Sequence, residues 1–313
     1  MYIINGPKNF QANNVISFLN EAQKAFSLKG KKIPDMHLEL TKVRTADMLS
    51  TLLIYKFLDY TVTNSCFENP LLHYNPVVIA AWEKYGFAEL IQGYMNQKLD
   101  LSSYKNLQIK VEDNFIIAPQ ALLREDNYSD KNLKNNFLPK IEEYYSFNDK
   151  VVSMIFICLS EILLNFWEHA VEDTKSIIVA NGNNYKIEIA CADTGKGIIS
   201  TLGDSLQNKK LTKEKILAKS LEQGITSKIG TNHMGYGLWI LNEIVTLTKG
   251  RLQLFSQGSY YINEFGKIKN GLCGYWQGTI IYISLPLESP KTLADIEEYK
   301  GTSAFKDLQI NFS

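Results

Sequence analysis

Residues Ser160–Ala170 read SEILLNFWEHA, inside a long apolar run that begins near Val151. Positions four apart on an α-helix drift by only about 40°. Glu161, Asn165 and His169 therefore share one side, with Glu168 and Glu172 close beside them. Nearly every other position is Val, Met, Ile, Phe, Cys, Leu or Trp, so the helix is buried on most sides and polar along a strip. Ordinary amphipathicity is one reading. A solvated face usually mixes Lys and Arg with Glu, however, and residues 151–174 contain neither cation. A strip of oxygen acceptors without cations suits a bound cation, and magnesium takes carboxylate and amide oxygens, usually only one or two from protein.

Two glycine turns follow. In CADTGKGI, Asp193 ends a strand-like run and Gly195 and Gly197 come after it. Such glycines permit unusual backbone angles and close approach of a ligand. A buried strand-end aspartate can accept a charge-assisted hydrogen bond from an exocyclic amine. A plain Asp-Thr-Gly turn is the alternative. In GTNHMGYGLWILNEIV, Gly230, Gly235 and Gly237 precede a helix, whose first N–H groups favour phosphate. A flexible loop capped by a helix is the alternative there. The sequence has no G-x-x-x-x-G-K-[ST] loop, and the second turn lacks a dinucleotide fingerprint.

Around these motifs the 313 residues suggest about two domains. Residues 1–110 alternate strand-like and helix-like segments, a small α/β unit. MYIIN and DMHLEL read as strands, QANNVISFLNEAQKAF as a helix, and TADMLSTLLIYKFLDYT as a helix with Thr45 as its N-cap. NPVVIAAW reads as a buried strand entering a helix. Residues 111–149 read as a connecting region, because the surrounding chain is rich in Asn, Asp, Ser and Lys. Residues 150–287 hold a helix over 150–171, strands at 176–181 and YKIEIACAD, and a polar stretch over 200–233. A helix ending at Gly250 and two further strands, RLQLFSQGS and GTIIYISLPL, complete this part. The fold class expected is α+β: a largely antiparallel sheet with helices on one face, preceded by the small α/β unit. Residues 288–313 form a tail with a short helix at TLADIEEYK.

Lysine plus arginine equals aspartate plus glutamate, 33 against 33, so no basic excess points to nucleic acid or to an anionic membrane. MYIINGPKNF lacks the basic start and apolar core of a signal peptide, and VVSMIFICLSEILLNFW is too short and too polar to span a bilayer. A cytoplasmic location is expected. Cys66, Cys158, Cys191 and Cys273 are scattered, with no C-x-x-C pair and no Cys/His cluster, which argues against a zinc site or a disulfide framework.

In order, Glu161-x-x-x-Asn165, DTGKGI, GYGL and GTIIYISLPL resemble the N box, the two glycine boxes and the closing strand of the GHKL family. That family comprises the gyrase, chaperone, histidine-kinase and MutL ATPases, and it includes the anti-sigma serine kinases. Asn165 lies 28 residues before Asp193, Asp193 lies 42 before Gly235, and Gly237 lies 42 before Thr279. The resemblance covers residues 150–287 and implies a Bergerat-type ATP-binding sandwich. It implies Mg2+ on Asn165, and the adenine amino group on Asp193 with Thr279 assisting. Gly195 and Gly197 would shape the adenine-side turn. Residues 200–234 would form a lid, with Gly235, Gly237 and Leu238 against the phosphates and Lys228 near the γ-phosphate. A glutamate at the place of Glu161 serves as general base in gyrase-like and anti-sigma-like members; His169 recurs in several members, and a structural role fits it equally well. A histidine autokinase needs a phosphoacceptor helix upstream, where only His37 and His73 occur, and neither sits in such a motif. The N-terminal unit resembles the STAS-like partners of anti-sigma kinases, with Thr45 where a phosphorylatable serine is expected.

Two functions stay open at this point. One is an ATPase or serine/threonine kinase using Glu161; the other is an ATP-dependent interaction module with little catalysis. Both imply ATP, Mg2+ and a protein partner, and a homodimer is compatible with either.

Overall fold

The computed structural model describes residues 2–28, 33–64, 66–95, 115–122, 133–146, 148–169, 176–205, 211–226 and 235–301. The N-terminal part contains β1 (Tyr2–Asn5), β2 (Asn9–Phe10), α1 (Val15–Phe26), β3 (Ile33–Glu39), β4 (Thr45–Ala46), α2 (Met48–Thr63), β5 (Phe67–His73), α3 (Pro76–Lys84) and α4 (Ala88–Met95). Strands β1, β3 and β5 form a parallel sheet in the order β1-β3-β5, and β2 pairs with β4. Strand-helix alternation with parallel pairing is what the α/β reading requires.

Two local expectations change. Helix α2 is capped by Asp47 rather than Thr45, which instead pairs with Asn9 in β4. Asp47 accepts the Ser50 amide at 2.9 Å while the Ser50 hydroxyl reaches back to the Asp47 amide, a reciprocal box that Thr45 is too early to make. The stretch NPVVIAAW contributes no strand. Asn75 caps α3 and Pro76 takes its first turn, where a missing N–H costs nothing; the strand lies upstream, at Phe67–His73.

The second part continues with β6 (Phe115–Leu122), α5 (Leu138–Tyr144), α6 (Asp149–His169), β7 (Ser176–Gly182), β8 (Lys186–Ala192), α7 (Ile198–Ser205), α8 (Lys213–Lys219) and α9 (Gly237–Leu247). It ends with β9 (Arg251–Ser256), β10 (Ser259–Glu264), β11 (Lys267–Leu272), β12 (Thr279–Pro286) and α10 (Leu293–Lys300). Seven strands form one fully antiparallel sheet in the order β11-β10-β9-β12-β8-β7-β6. The region expected as a connection thus supplies an edge strand, β6, and a helix, α5. Pro119 lies within β6, where the pairing shifts register, as suits an edge strand.

Helices on one face describe residues 150–287 alone; in the whole chain both faces of the sheet are covered. Ile178, Ala180, Ile187, Ile189, Ile281 and Ile283 point into a core with α6 and α9. Their alternate neighbours Ile177, Val179, Ala190, Ala192, Ile280 and Tyr282 point into a second core with residues of α1 and α2, such as Phe26, Leu53 and Tyr60. This two-sided burial explains why IIVAN and TIIYIS read as continuous apolar runs instead of alternating. Each aliphatic side chain so buried contributes about 1.5–3 kcal/mol. The buried Gln253 amide adds a hydrogen bond to the Ala12 carbonyl at 3.0 Å across the same boundary.

Among the described residues, no helix is long and apolar enough to cross a membrane.

Candidate functional site

The polar strip of α6 ends up against the start of α9. At Gly237, the first residue of α9, an added methyl group would overlap the Oε2 of Glu161 and come 3.3 Å from the Asn165 amide nitrogen. Only glycine lets the helix start approach this closely. Tyr236, at the N-cap position of α9, makes no capping hydrogen bond with its side chain. Helix N-termini favour negative charge, and here the neighbouring charge is the Glu161 carboxylate. Asn165 donates its amide N–H to the Glu161 carbonyl at 2.7 Å, which fixes the side chain and presents its carbonyl oxygen as the acceptor. Glu161 and Asn165 are half-buried, and Leu238 is buried behind them. Burial pushes the thiol of Cys158, one turn earlier, far up, and the Glu161 charge adds to the effect. Cys158 is therefore an inert core residue, not a nucleophile.

The second cluster is built around Asp193, which is buried at the end of β8. Its Oδ1 accepts the Gly195 amide at 2.6 Å and its Oδ2 accepts the Thr279 amide at 3.1 Å. Its own main chain donates to the Thr279 carbonyl at 2.9 Å. Thr279 thus holds Asp193 through its backbone. Gly197 has φ of +78°, and a Cβ there would come 2.9 Å from both the Gly278 carbonyl and the Ser256 hydroxyl. The turn after Asp193 therefore lies flat on the ends of β9 and β12, and packing of the protein on itself already demands this glycine.

Four residues that the sequence did not single out complete this cluster. The buried Ser256 hydroxyl donates to Gly278 at 2.8 Å and accepts the Ile198 amide at 3.1 Å. Gln257 exchanges two hydrogen bonds with Ser200, fixing the start of α7. Trp276 donates from its indole to the Asp193 carbonyl at 2.9 Å, and Gln277 donates to the Thr194 carbonyl at 2.9 Å. None lies in the glycine motifs quoted above, and the bonds of the cluster span 22 to 83 residues of sequence, so no local pattern announces them.

No protein-family model matches this sequence, and no curated protein matches it.

Glu161, Asn165 and Gly237 are brought together, and so are Asp193, Gly195, Gly197 and Thr279. Gly235 has φ of +73° and its carbonyl accepts the Gly224 amide at 3.1 Å. Gly224 and Gly235 are therefore neighbours, on either side of residues 225–234. Of that stretch, Lys228 and Gly230 lie outside the described residues, as do Glu172 and the side chains of Glu168 and His169.

Proposed function

We propose that residues 150–287 form a Bergerat-type, GHKL-like domain that binds Mg-ATP, and that Glu161 acts as general base in ATP hydrolysis or in phosphoryl transfer to a serine or threonine. The observation that carries this reading is the contact of Gly237 with Glu161 and Asn165: a carboxylate and an amide stand at the start of a helix. Phosphate suits such a helix start. The donor set suits the metal, because a hard cation takes the oxygens of Asn165 and of phosphate and keeps several waters. When bound, Mg2+ supplies charge neutralisation on the phosphates.

The remaining work falls to the protein. Asn165, held by its bond to the Glu161 carbonyl, presents one oxygen. Glu161 orients water or a hydroxyl and takes its proton, which requires hydrogen-bond reach to the attacking oxygen. Asp193, held rigid by the Gly195 and Thr279 amides, accepts the adenine amino group. By the resemblance, residues 200–234 would cover the phosphates and exclude water. Gly195, Gly197 and Leu238 keep the two walls in place.

Purified protein with Mg-ATP should release ADP, alone or with a protein hydroxyl substrate. Glu161→Gln should keep nucleotide binding and lose turnover. Turnover undiminished in that variant would remove Glu161 as the base.

A second reading is an ATP-dependent interaction module with little catalysis. The coverage of the sheet by α1 and α2 favours it, because the N-terminal unit then senses the nucleotide-side turn directly. In this reading the STAS-like N-terminal unit engages the protein partner. It predicts ATP-dependent changes in hydrogen exchange in α1 and α2 without ADP release.

A further inference from the structure

Away from this site, two of the four histidines of the chain meet. His37 on β3 and His73 on β5 are 36 residues apart in sequence, yet the Nδ1 of His37 lies 3.0 Å from the Nε2 of His73. Glu39 joins them, its Oε1 3.6 Å from the same His73 nitrogen. The strand geometry produces this grouping. His37 and Glu39 are two apart on β3, so they share a face, and the β3–β5 register sets Glu39 directly opposite His73. The alternate residues Met36, Leu38 and Leu40 fill the core, which leaves the three polar side chains on the outer face. All three are half-buried, and one ligand atom from each lies within 4.8 Å of the others.

We propose that His37, His73 and Glu39 form a binding site for a divalent transition metal of the zinc class. Two imidazoles and a carboxylate are borderline nitrogen and oxygen donors, which suit zinc and exclude magnesium as the preferred ion. Zinc bonds of about 2.0–2.2 Å in tetrahedral geometry set neighbouring donor atoms about 3.4 Å apart. The distances of 3.0 and 3.6 Å bracket that separation. Three protein ligands leave a fourth position to water, the arrangement of an exchangeable site rather than a closed structural one. The second Glu39 oxygen faces the Thr41 hydroxyl at 3.5 Å, and the main-chain bond of the Leu40 amide to the His73 carbonyl at 2.7 Å holds the two strands in register beside the site. The ion would clip β5 to β3. The scattered cysteines pointed away from zinc; this site uses none of them, and only the strand pairing brings its ligands together.

The test uses the full chain, stripped with a chelator and titrated with zinc chloride against a chromophoric zinc indicator, with cobalt(II) as a spectroscopic substitute. One equivalent of zinc should bind and raise the thermal midpoint. Binding should be lost in His37→Ala and His73→Ala and weakened in Glu39→Gln, with folding checked by circular dichroism. Cobalt should give visible bands of a nitrogen and oxygen site without thiolate charge-transfer bands, a readout that needs no variant. Failure to take up zinc, a thiolate spectrum, or binding unchanged in both histidine variants would overturn the proposal, leaving a simple hydrogen bond between two imidazoles.

Discussion

The indole N–H of Trp276 donates to the main-chain carbonyl of Asp193 at 2.9 Å. The same ring packs edge-on against Phe26 of α1, with centroids 5.2 Å apart. One residue therefore touches both the turn proposed to hold adenine and the N-terminal helix α1. Gln277 repeats the pattern, donating to Thr194 while its Oε1 faces the Tyr60 hydroxyl. Gly274 sits so close to α1 that a methyl group there would overlap the Leu19 carbonyl.

Trp276→Phe keeps most of the ring and removes the donor. Leaving a buried carbonyl unsatisfied costs about 1–3 kcal/mol, read as a lower thermal midpoint. Mg-ATP affinity should fall roughly 5-fold or more, the low end of coupling between linked sites. A stability loss with unchanged affinity would confine Trp276 to packing.

Gly237→Ala places a methyl group on the Glu161 carboxylate, the end of a flexible side chain that can move aside. The fold should survive with a small loss of stability. Turnover should drop on the order of 100-fold, because a displacement of about 1 Å in a reacting group costs that much. Comparison of kcat with the melting curve of the same preparation separates the two effects.

Lys56 and Asp59 form a buried ion pair at 2.8 Å in α2, both nearly without solvent exposure. Asp59→Ala removes the carboxylate from a buried ammonium and should cost about 3–5 kcal/mol in denaturant unfolding. The double change Lys56→Met with Asp59→Leu should recover most of that loss, since a buried pair is often replaceable by apolar groups.

The amide and hydroxyl of Thr292 hold the Asp295 carboxyl below the usual aspartate range, in the cap of α10. A folded value below the unfolded value of about 3.9 means the contribution is present above that pH and lost as pH falls through the folded value. Asp295→Ala should cost about 0.5 kcal/mol at neutral pH, as for a carboxylate in the first turn of an exposed helix. The difference from the parent protein should shrink below pH 4 or so, measured by urea midpoints. Helix α10 is also tied to α9 by Lys300 and Glu243 at 2.8 Å, so its loss reaches the helix whose start meets Glu161.

Several elements were legible because their signals are local. The spacing of Glu161 and Asn165 marked one face of α6, and Gly237 opened a helix as its position suggested. Asp193 and Thr279 stand at strand ends, as the apolar runs before and after them indicated. Other features were hidden for physical reasons. Strand β10 carries polar residues on one side, and β11 is exposed along most of its length, so neither shows the apolar run of a core strand. The cap of α2 fell to Asp47, because a side chain two residues nearer the helix makes the reciprocal bonds. Ser256 and Trp276 act through contacts far apart in sequence, which no window of residues can contain. The continuous apolar character of β7 and β12 did carry the news of a second covered face, since a sheet with one open face would alternate.

Calorimetric titration of the full chain with Mg-ATP, beside Asp193→Asn, tests nucleotide binding most directly. Asparagine removes the charge and keeps one of the two amide acceptors, and circular dichroism checks that the variant is folded. Binding of one Mg-ATP by the parent protein, with affinity lowered about 10-fold or more in the variant, is the result predicted, a loss of about 1.4 kcal/mol or more. No heat of binding to folded parent protein, or equal affinity in both, would contradict it.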